Sequence, residues 1–112
     1  MHELSLCRSI ETIVLRAAEG RRVGVVEVDV GDLRQVVPST LEYCWGLVVA
    51  GTALAGSRLD VTHIPAVLEC ENCGHKTTLD DLPIMKCESC GNTDVRVISG
   101  EEFMVAAIQL ES

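Results

Sequence analysis

At 112 residues, 47% of them hydrophobic and only three aromatic (Tyr43, Trp45, Phe103), the chain suits one modest domain with a small satellite, its core built from Val, Leu, Ile and Ala. Seventeen acidic against nine basic residues leave a net charge of −8, which excludes the basic, counterion-displacing surface of a nonspecific nucleic-acid binder and disfavours an anionic membrane surface. No run has the form of a signal peptide or a membrane span, and the longest uncharged stretch, Tyr43 to Ser57, is broken by Gly46, Gly51 and Gly56. A cytoplasmic protein without membrane insertion is expected, and there six cysteines point to metal ligation or buried thiols rather than disulfides.

From Glu3 to Gly20, Leu6, Ile10, Ile13 and Ala17 recur at helical spacing, and Cys7 and Val14 widen the stripe. This predicts an amphipathic helix that Gly20 ends. Arg22 to Val30 then alternates, with Val26, Val28 and Val30 on one side and Glu27 and Asp29 on the other, as in a half-buried strand stopped near Gly31. A second helix is predicted from Pro38, with Ser39 and Glu42 as a capping box and Leu41, Cys44, Trp45 and Val48 as its apolar face. Residues 58–68 read as a strand with Leu59 and Val61 inward, Pro65 marking an edge or the strand's end. Glu69 to Gly100 changes character to paired cysteines and turn residues, and Phe103 to Leu110 reads as a last strand with Met104, Ala106, Ile108 and Leu110 on one face.

The expected fold is α+β, with two helices packed on a small β-sheet and an inserted four-cysteine, zinc-ribbon-like domain. The predicted boundaries are 1–66 plus 99–112 for the α+β domain and 67–98 for the cysteine domain.

The inserted segment reads Cys70-x2-Cys73-x13-Cys87-x2-Cys90, with Gly74 and Gly91 after the second cysteine of each pair. Two residues between cysteines let both sulfurs face one ion, and two such knuckles supply the four thiolates of a closed tetrahedral site. The glycines tolerate the positive φ of a tight turn that aims backbone N–H groups at sulfur. Structural Zn(II) is the expected occupant, although an iron–sulfur centre uses the same four ligands and spacing alone does not separate them. Four thiolates and one zinc ion would move the charge from −8 to −10, further from nucleic acid. His63 and His75 read as exposed histidines beside a strand end and a turn, with an auxiliary metal ligand as the other reading of His63. Cys7 and Cys44 fall on apolar helix faces and read as buried, inert thiols.

The chain starts Met1-His2-Glu3. A terminal histidine is commonly a frayed surface residue. Here the Met1 α-amine, the His2 backbone nitrogen and the His2 imidazole can also close fused chelate rings, with Glu3 adding a donor through its amide or carboxylate. Such nitrogen-rich coordination suits Ni(II) or Cu(II). The residues alone leave both readings open.

Met-His-Glu-Leu-Ser-Leu-Cys at residues 1–7, the helix, the Val-rich strand, the Pro38-led helix and the two Cys-x2-Cys knuckles together resemble the HypA/HybF family of hydrogenase maturation factors, along essentially the whole chain. The resemblance implies a nickel metallochaperone and no enzymatic activity. Its α+β domain would bind nickel and its cysteine domain zinc. His2 would be the principal nickel ligand, with Met1 and Glu3 adjoining, and Cys70, Cys73, Cys87 and Cys90 would be the zinc ligands. Ni(II) would be cargo, passed to the [NiFe]-hydrogenase large-subunit precursor in cooperation with the GTPase HypB. Some members use further nickel ligands; Val37 and Pro38 occupy the region where an acidic one would be sought. Monomer and homodimer are both compatible with the sequence. Two other classes compete: a zinc-ribbon protein–protein adaptor without a labile metal, and a small zinc enzyme, which the closed thiolate shell and the lack of a nucleophile–base pair disfavour.

Overall fold

The computed structural model describes residues 2–79 and 84–111, the His2 side chain excepted. Helix α1 (His2–Ala18) buries Cys7, Ile10, Val14 and Ala18. The expected stripe is therefore rotated: Ala17 lies outside and Ile13 is 50% exposed. Both sets obey the helical period, so packing against the second helix decides which faces inward. Glu19 and Gly20 both adopt positive φ and turn the chain, with the Arg21 N–H donating to the Ala18 carbonyl at 3.0 Å.

Strand β1 (Val23–Gly31) buries Val26, Val28 and Val30, as its alternation predicts, and Val23 as well, out of phase with them. A short 3-10 turn at Asp32–Arg34, which carries no sequence signal of its own, leads to helix α2 (Pro38–Val49). Pro38 occupies the first helical position and Val37 caps it with extended backbone and no side-chain bond. The expected Ser39–Glu42 capping box does not form, because the helix starts two residues too early for Ser39 to be its cap. Leu41, Cys44, Trp45 and Val49 are buried, Val48 is half-buried, and Tyr43 and Leu47 face solvent. The Cys7 thiol lies 3.3 Å from the Leu41 carbonyl. Burial first, then Cys44 and Glu3, push that thiol up to about 11, and both Cys7 and Cys44 are buried as anticipated. Below α2 the buried Trp45 indole N–H donates to Ser57 Oγ at 3.0 Å, and Ser57 donates to the Leu54 carbonyl at 2.6 Å.

The expected strand 58–68 is two strands, β2 (Arg58–Ile64) and β3 (Val67–Cys70), parted at Pro65, which has no N–H to offer a ladder. Strands β4 (Lys76–Thr78), β5 (Val95–Ser99) and β6 (Phe103–Leu110) complete two three-stranded sheets, ordered β2-β1-β6 and β4-β3-β5. In the second sheet β3 pairs antiparallel with both neighbours, Leu68 facing Thr77 and Val97, with a register shift between Val67 and Leu68. Strand β6 departs from its expected single apolar face: Phe103, Val105, Ile108 and Leu110 are half-buried while Met104 and Ala106 are exposed. The alternation slips by one residue at Ala106–Ala107.

The chain divides into two compact units, the first of residues 1–29, 36–62 and 104–112, the second of residues 30–35 and 63–103. The core of the first unit is the α1 stripe, the α2 face, the β1 valines before Val30, Leu54 and Leu59. In the second, three backbone segments crowd together. A Cβ on Gly31 would lie 2.1 Å from Gly100 backbone, and one on Gly100, at φ +110, would lie 2.5 Å from Ala66 Cα. The Leu33 N–H donates to the Gly100 carbonyl, the Leu79 N–H to the Ala66 carbonyl and the Ser99 hydroxyl to the Pro65 carbonyl, each at 2.8 Å. Both connections of the cysteine segment are thus tied at one root.

Candidate metal centre

The root holds β3 and β5 side by side, and the knuckles hang from their far ends. Cys70 closes β3, and Arg96 on β5 reinforces the pairing by donating to its cross-strand partner Glu69 and to Glu71. Each Cys-x2-Cys then folds in the same way. The N–H of the first cysteine donates to the carbonyl five residues on, Cys70 to His75 and Cys87 to Asn92, both at 2.9 Å. The glycine N–H returns to the carbonyl of the first cysteine, Gly74 to Cys70 and Gly91 to Cys87, again at 2.9 Å. The glycines take φ +77 and +76, the left-handed conformation anticipated for them. The second cysteine's N–H points at the first one's sulfur, Cys73 to Cys70 at 3.4 Å and Cys90 to Cys87 at 3.5 Å.

The two knuckles bring their sulfurs together. Cys70 and Cys90 Sγ are 3.6 Å apart, Cys73 and Cys87 Sγ likewise, and all four lie within 4.8 Å of one another. Four sulfurs about 2.3 Å from one zinc ion stand about 3.8 Å apart along the edges of a tetrahedron. The observed spacing fits such an ion with little movement, and the set could hold a metal. The backbone donors favour thiolate: the Cys73 N–H draws the Cys70 thiol down, and the Cys90 N–H draws that of Cys87 down to about 6. Cys73 is pushed up to about 12: the His75 N–H lowers it, but desolvation and the three neighbouring sulfurs outweigh that pull. Four thiolates cannot share this space without a cation, which is what a metal-binding shell requires.

Around the shell lie contacts that spacing could not reveal. The Asn72 amide is 4.0 Å from Cys90 Sγ, and Thr77 Oγ1 accepts the Glu88 N–H at 3.1 Å. His75 is exposed, as expected, and its Nε2 is 2.9 Å from Glu88 Oε2, joining one knuckle to the other at the surface. His63, also exposed, has Nδ1 2.9 Å from Asp32 Oδ1. Among the described residues no other group of three or more His, Cys, Asp and Glu side chains converges as the cysteines do. Met1 and the His2 side chain, the centre of the anticipated nickel site, lie outside the described residues. Glu3 is half-buried in the first turn of α1. Among the described residues, no helix is long and apolar enough to cross a membrane.

Comparison with known proteins adds the context that geometry lacks. Residues 1–110 match the family model for HypA, "Hydrogenase/urease nickel incorporation, metallochaperone, hypA". The chain is 36% identical over 115 residues to the hydrogenase maturation factor HypA of Geobacter sulfurreducens, covering 99% of this chain and all of that one. It is 32% identical over 111 residues to that of a Nostoc species, covering 99% of this chain and 96% of that one. Its fold is similar to the solution structure of the nickel metallochaperone HypA from Helicobacter pylori, with a TM-score of 0.69 at 21% identity, covering 98% and 97% of the two chains. A further HypA solution structure aligns with a TM-score of 0.71 over 99% of this chain. With its α+β fold, its four-cysteine cluster and a match that runs from the first residue through both knuckles, the chain belongs to the HypA family of nickel metallochaperones that serve hydrogenase maturation.

Proposed function

We propose that the chain captures Ni(II) at its amino terminus, through the Met1 amine, the His2 imidazole and backbone nitrogen, and Glu3. It hands the ion to the [NiFe]-hydrogenase large-subunit precursor with the help of the GTPase HypB. The observation that carries this reading is the extent of the family match, which takes in Met1-His2-Glu3 as well as the cysteines. One further feature supports it. Helix α1 begins at His2, and the first amides of a helix have no intrahelical acceptor, so those of His2 and Glu3 can be deprotonated and ligate without breaking helical bonds. The chemistry is ligand exchange, and the protein is not an enzyme.

Cys70, Cys73, Cys87 and Cys90 hold zinc in this reading, which supplies a closed structural cross-link and no catalytic position. The α+β domain of residues 1–66 and 99–112 then carries nickel, and residues 67–98 carry zinc. Cytoplasmic residence follows from the reduced thiols this requires.

The test is nickel titration of untagged, zinc-loaded protein followed by absorption spectroscopy. His2→Ala is expected to abolish stoichiometric Ni(II) binding and leave zinc content unchanged. Parent-like nickel binding by His2→Ala would overturn the terminal site and leave a zinc-ribbon adaptor as the better description. Because capture displaces protons from imidazole and amide nitrogen, nickel affinity is expected to fall as pH falls.

A further inference from the structure

The two knuckles are repeats, and one more N–H bond anchors each of them from outside. In the first, the amide that follows Cys70, the Glu71 N–H, donates to the backbone carbonyl of Asp94 at 2.9 Å. In the second, the equivalent amide follows Cys87, and this Glu88 N–H donates to Oγ1 of Thr77 at 3.1 Å. The same bond at the same place in the repeat is made by main chain on one side and by a single hydroxyl on the other.

The surroundings of the knuckles differ in the same sense. The first is the turn of the β3–β4 hairpin, with Glu69 paired to Lys76 at its base. The second has no such frame. Residues 84–94 contain no helix or strand, and among the described residues no backbone hydrogen bond joins residues 84–92 to the rest of the chain. Three side chains reach across instead. The Asn72 amide makes a long contact of 4.0 Å to Cys90 Sγ, and the His75–Glu88 pair is exposed, where water competes. Thr77 alone of the three is buried, at 7% exposure.

Thr77 faces inward on β4 opposite Leu68, between the exposed Lys76 and Thr78. Valine has the same shape and would suit that position better, since a buried hydroxyl costs free energy unless it is bonded. The Glu88 N–H supplies that bond. With this amide fixed, the next two, those of Ser89 and Cys90, are aimed at the Cys87 sulfur.

We propose that Thr77 is a positioning residue of the metal centre. Its hydroxyl holds the second knuckle against the first, and Cys87 and Cys90 are the ligand pair that detaches first when metal is withdrawn. This rests on the reading that the four cysteines hold zinc. Detachment is ligand exchange: a donor atom of the competing chelator takes each sulfur's place, the freed thiolate takes a proton from water, and no electron moves.

Zinc release from the untagged, zinc-loaded full chain to the chromogenic chelator pyridylazoresorcinol tests this, with iodoacetamide in parallel samples to mark each sulfur as it comes free. Thr77→Val is expected to release zinc about tenfold faster than the parent, because its Glu88 N–H has lost its acceptor. Thr77→Ser keeps the hydroxyl, and Thr78→Val makes the same change on the exposed face of β4. Both should stay within about twofold of the parent. In the parent, mass spectrometry should find label on Cys90 before Cys73, both exposed, and on Cys87 before Cys70, both buried. Parent-like release by Thr77→Val overturns the proposal, as does label that reaches Cys70 and Cys73 first or at the same rate. So does a Thr77→Ser variant that releases zinc as fast as Thr77→Val, which would trace the effect to packing and not to the hydroxyl bond. Should Thr77→Val fail to hold zinc, the order of labelling in the parent decides. A parent that holds no zinc overturns the underlying reading of the cysteines, whereas one that holds zinc and opens at the first knuckle overturns this proposal alone.

Discussion

Glycines at three positions separate two physical demands that look alike in the sequence. At Gly74 and Gly91 the backbone takes φ +77 and +76, yet an added Cβ would meet nothing within 4 Å. Alanine there pays only the left-handed strain, about 1 kcal/mol. At Gly100 the φ of +110 comes with a Cβ position 2.5 Å from the Ala66 backbone, so alanine must move main chain that itself accepts the Leu79 N–H. Gly100→Ala is therefore expected to destabilise by about 3 kcal/mol or more, against about 1 kcal/mol for Gly74→Ala or Gly91→Ala. Chemical denaturation of the metal-loaded variants checks the ordering. Equal losses at all three sites would show that strain, and not contact, governs Gly100.

Among the elements, α1 and the knuckles behave in opposite ways towards metal. Three backbone N–H bonds shape each knuckle, two to carbonyls and one to sulfur, and the facing sulfurs stand within tenths of an ångström of the spacing an ion asks of them. Helix α1 starts at His2, so the proposed capture takes place on its first turn, whose leading amides have no helical partner to lose. Nickel addition is expected to perturb the amide resonances of Glu3 to Leu6 while those from Ile10 onward, in the buried stripe, stay in place. Perturbation centred on Cys70 to Cys90 would locate nickel at the thiolates and contradict the proposed division of labour.

What could be read in advance divides by the same logic. Long periodic elements were legible: β1, α2 and the existence of α1 follow from apolar spacing, and the cysteine cluster from doubled Cys-x2-Cys-Gly. The facing of α1 was not, since Leu6–Ile13–Ala17 and Cys7–Val14–Ala18 both satisfy a helix and only α2 chooses. Strands β3, β4 and β5 of the cysteine segment run four, three and five residues, too short for a period to show. Pairs such as His63 with Asp32, 31 residues apart, exist only after folding.

For the whole molecule, the burial pattern sets the consequence of losing metal. The second unit buries few large apolar side chains, Leu68 and Val30 foremost, whereas the first has Trp45, Ile10, Leu41 and Leu54 with a full set of valines. So small a core leans on its metal, and ion binding is then folding free energy, of order 10 kcal/mol for comparable thiolate sites. Chelation is expected to abolish amide-exchange protection in β3, β4 and β5 and to leave α1, α2 and the Trp45 environment protected. Retained protection in β3 and β5 after complete demetallation would show that the root, not the ion, holds the unit together.

That root has a consequence for how such a chain can be altered over generations. The polypeptide crosses between its two units four times, after Asp29, Gln35, Thr62 and Phe103. The cysteine segment looks like a cassette in the gene, but Val30 to Gln35 belongs with it, and the Leu33 N–H that meets the Gly100 carbonyl comes from there. Neither unit can be gained, lost or transplanted as one uninterrupted stretch of coding sequence. A recombination event that swaps residues 63–103 alone inherits half of a lock and must find Gly31 waiting on the other side.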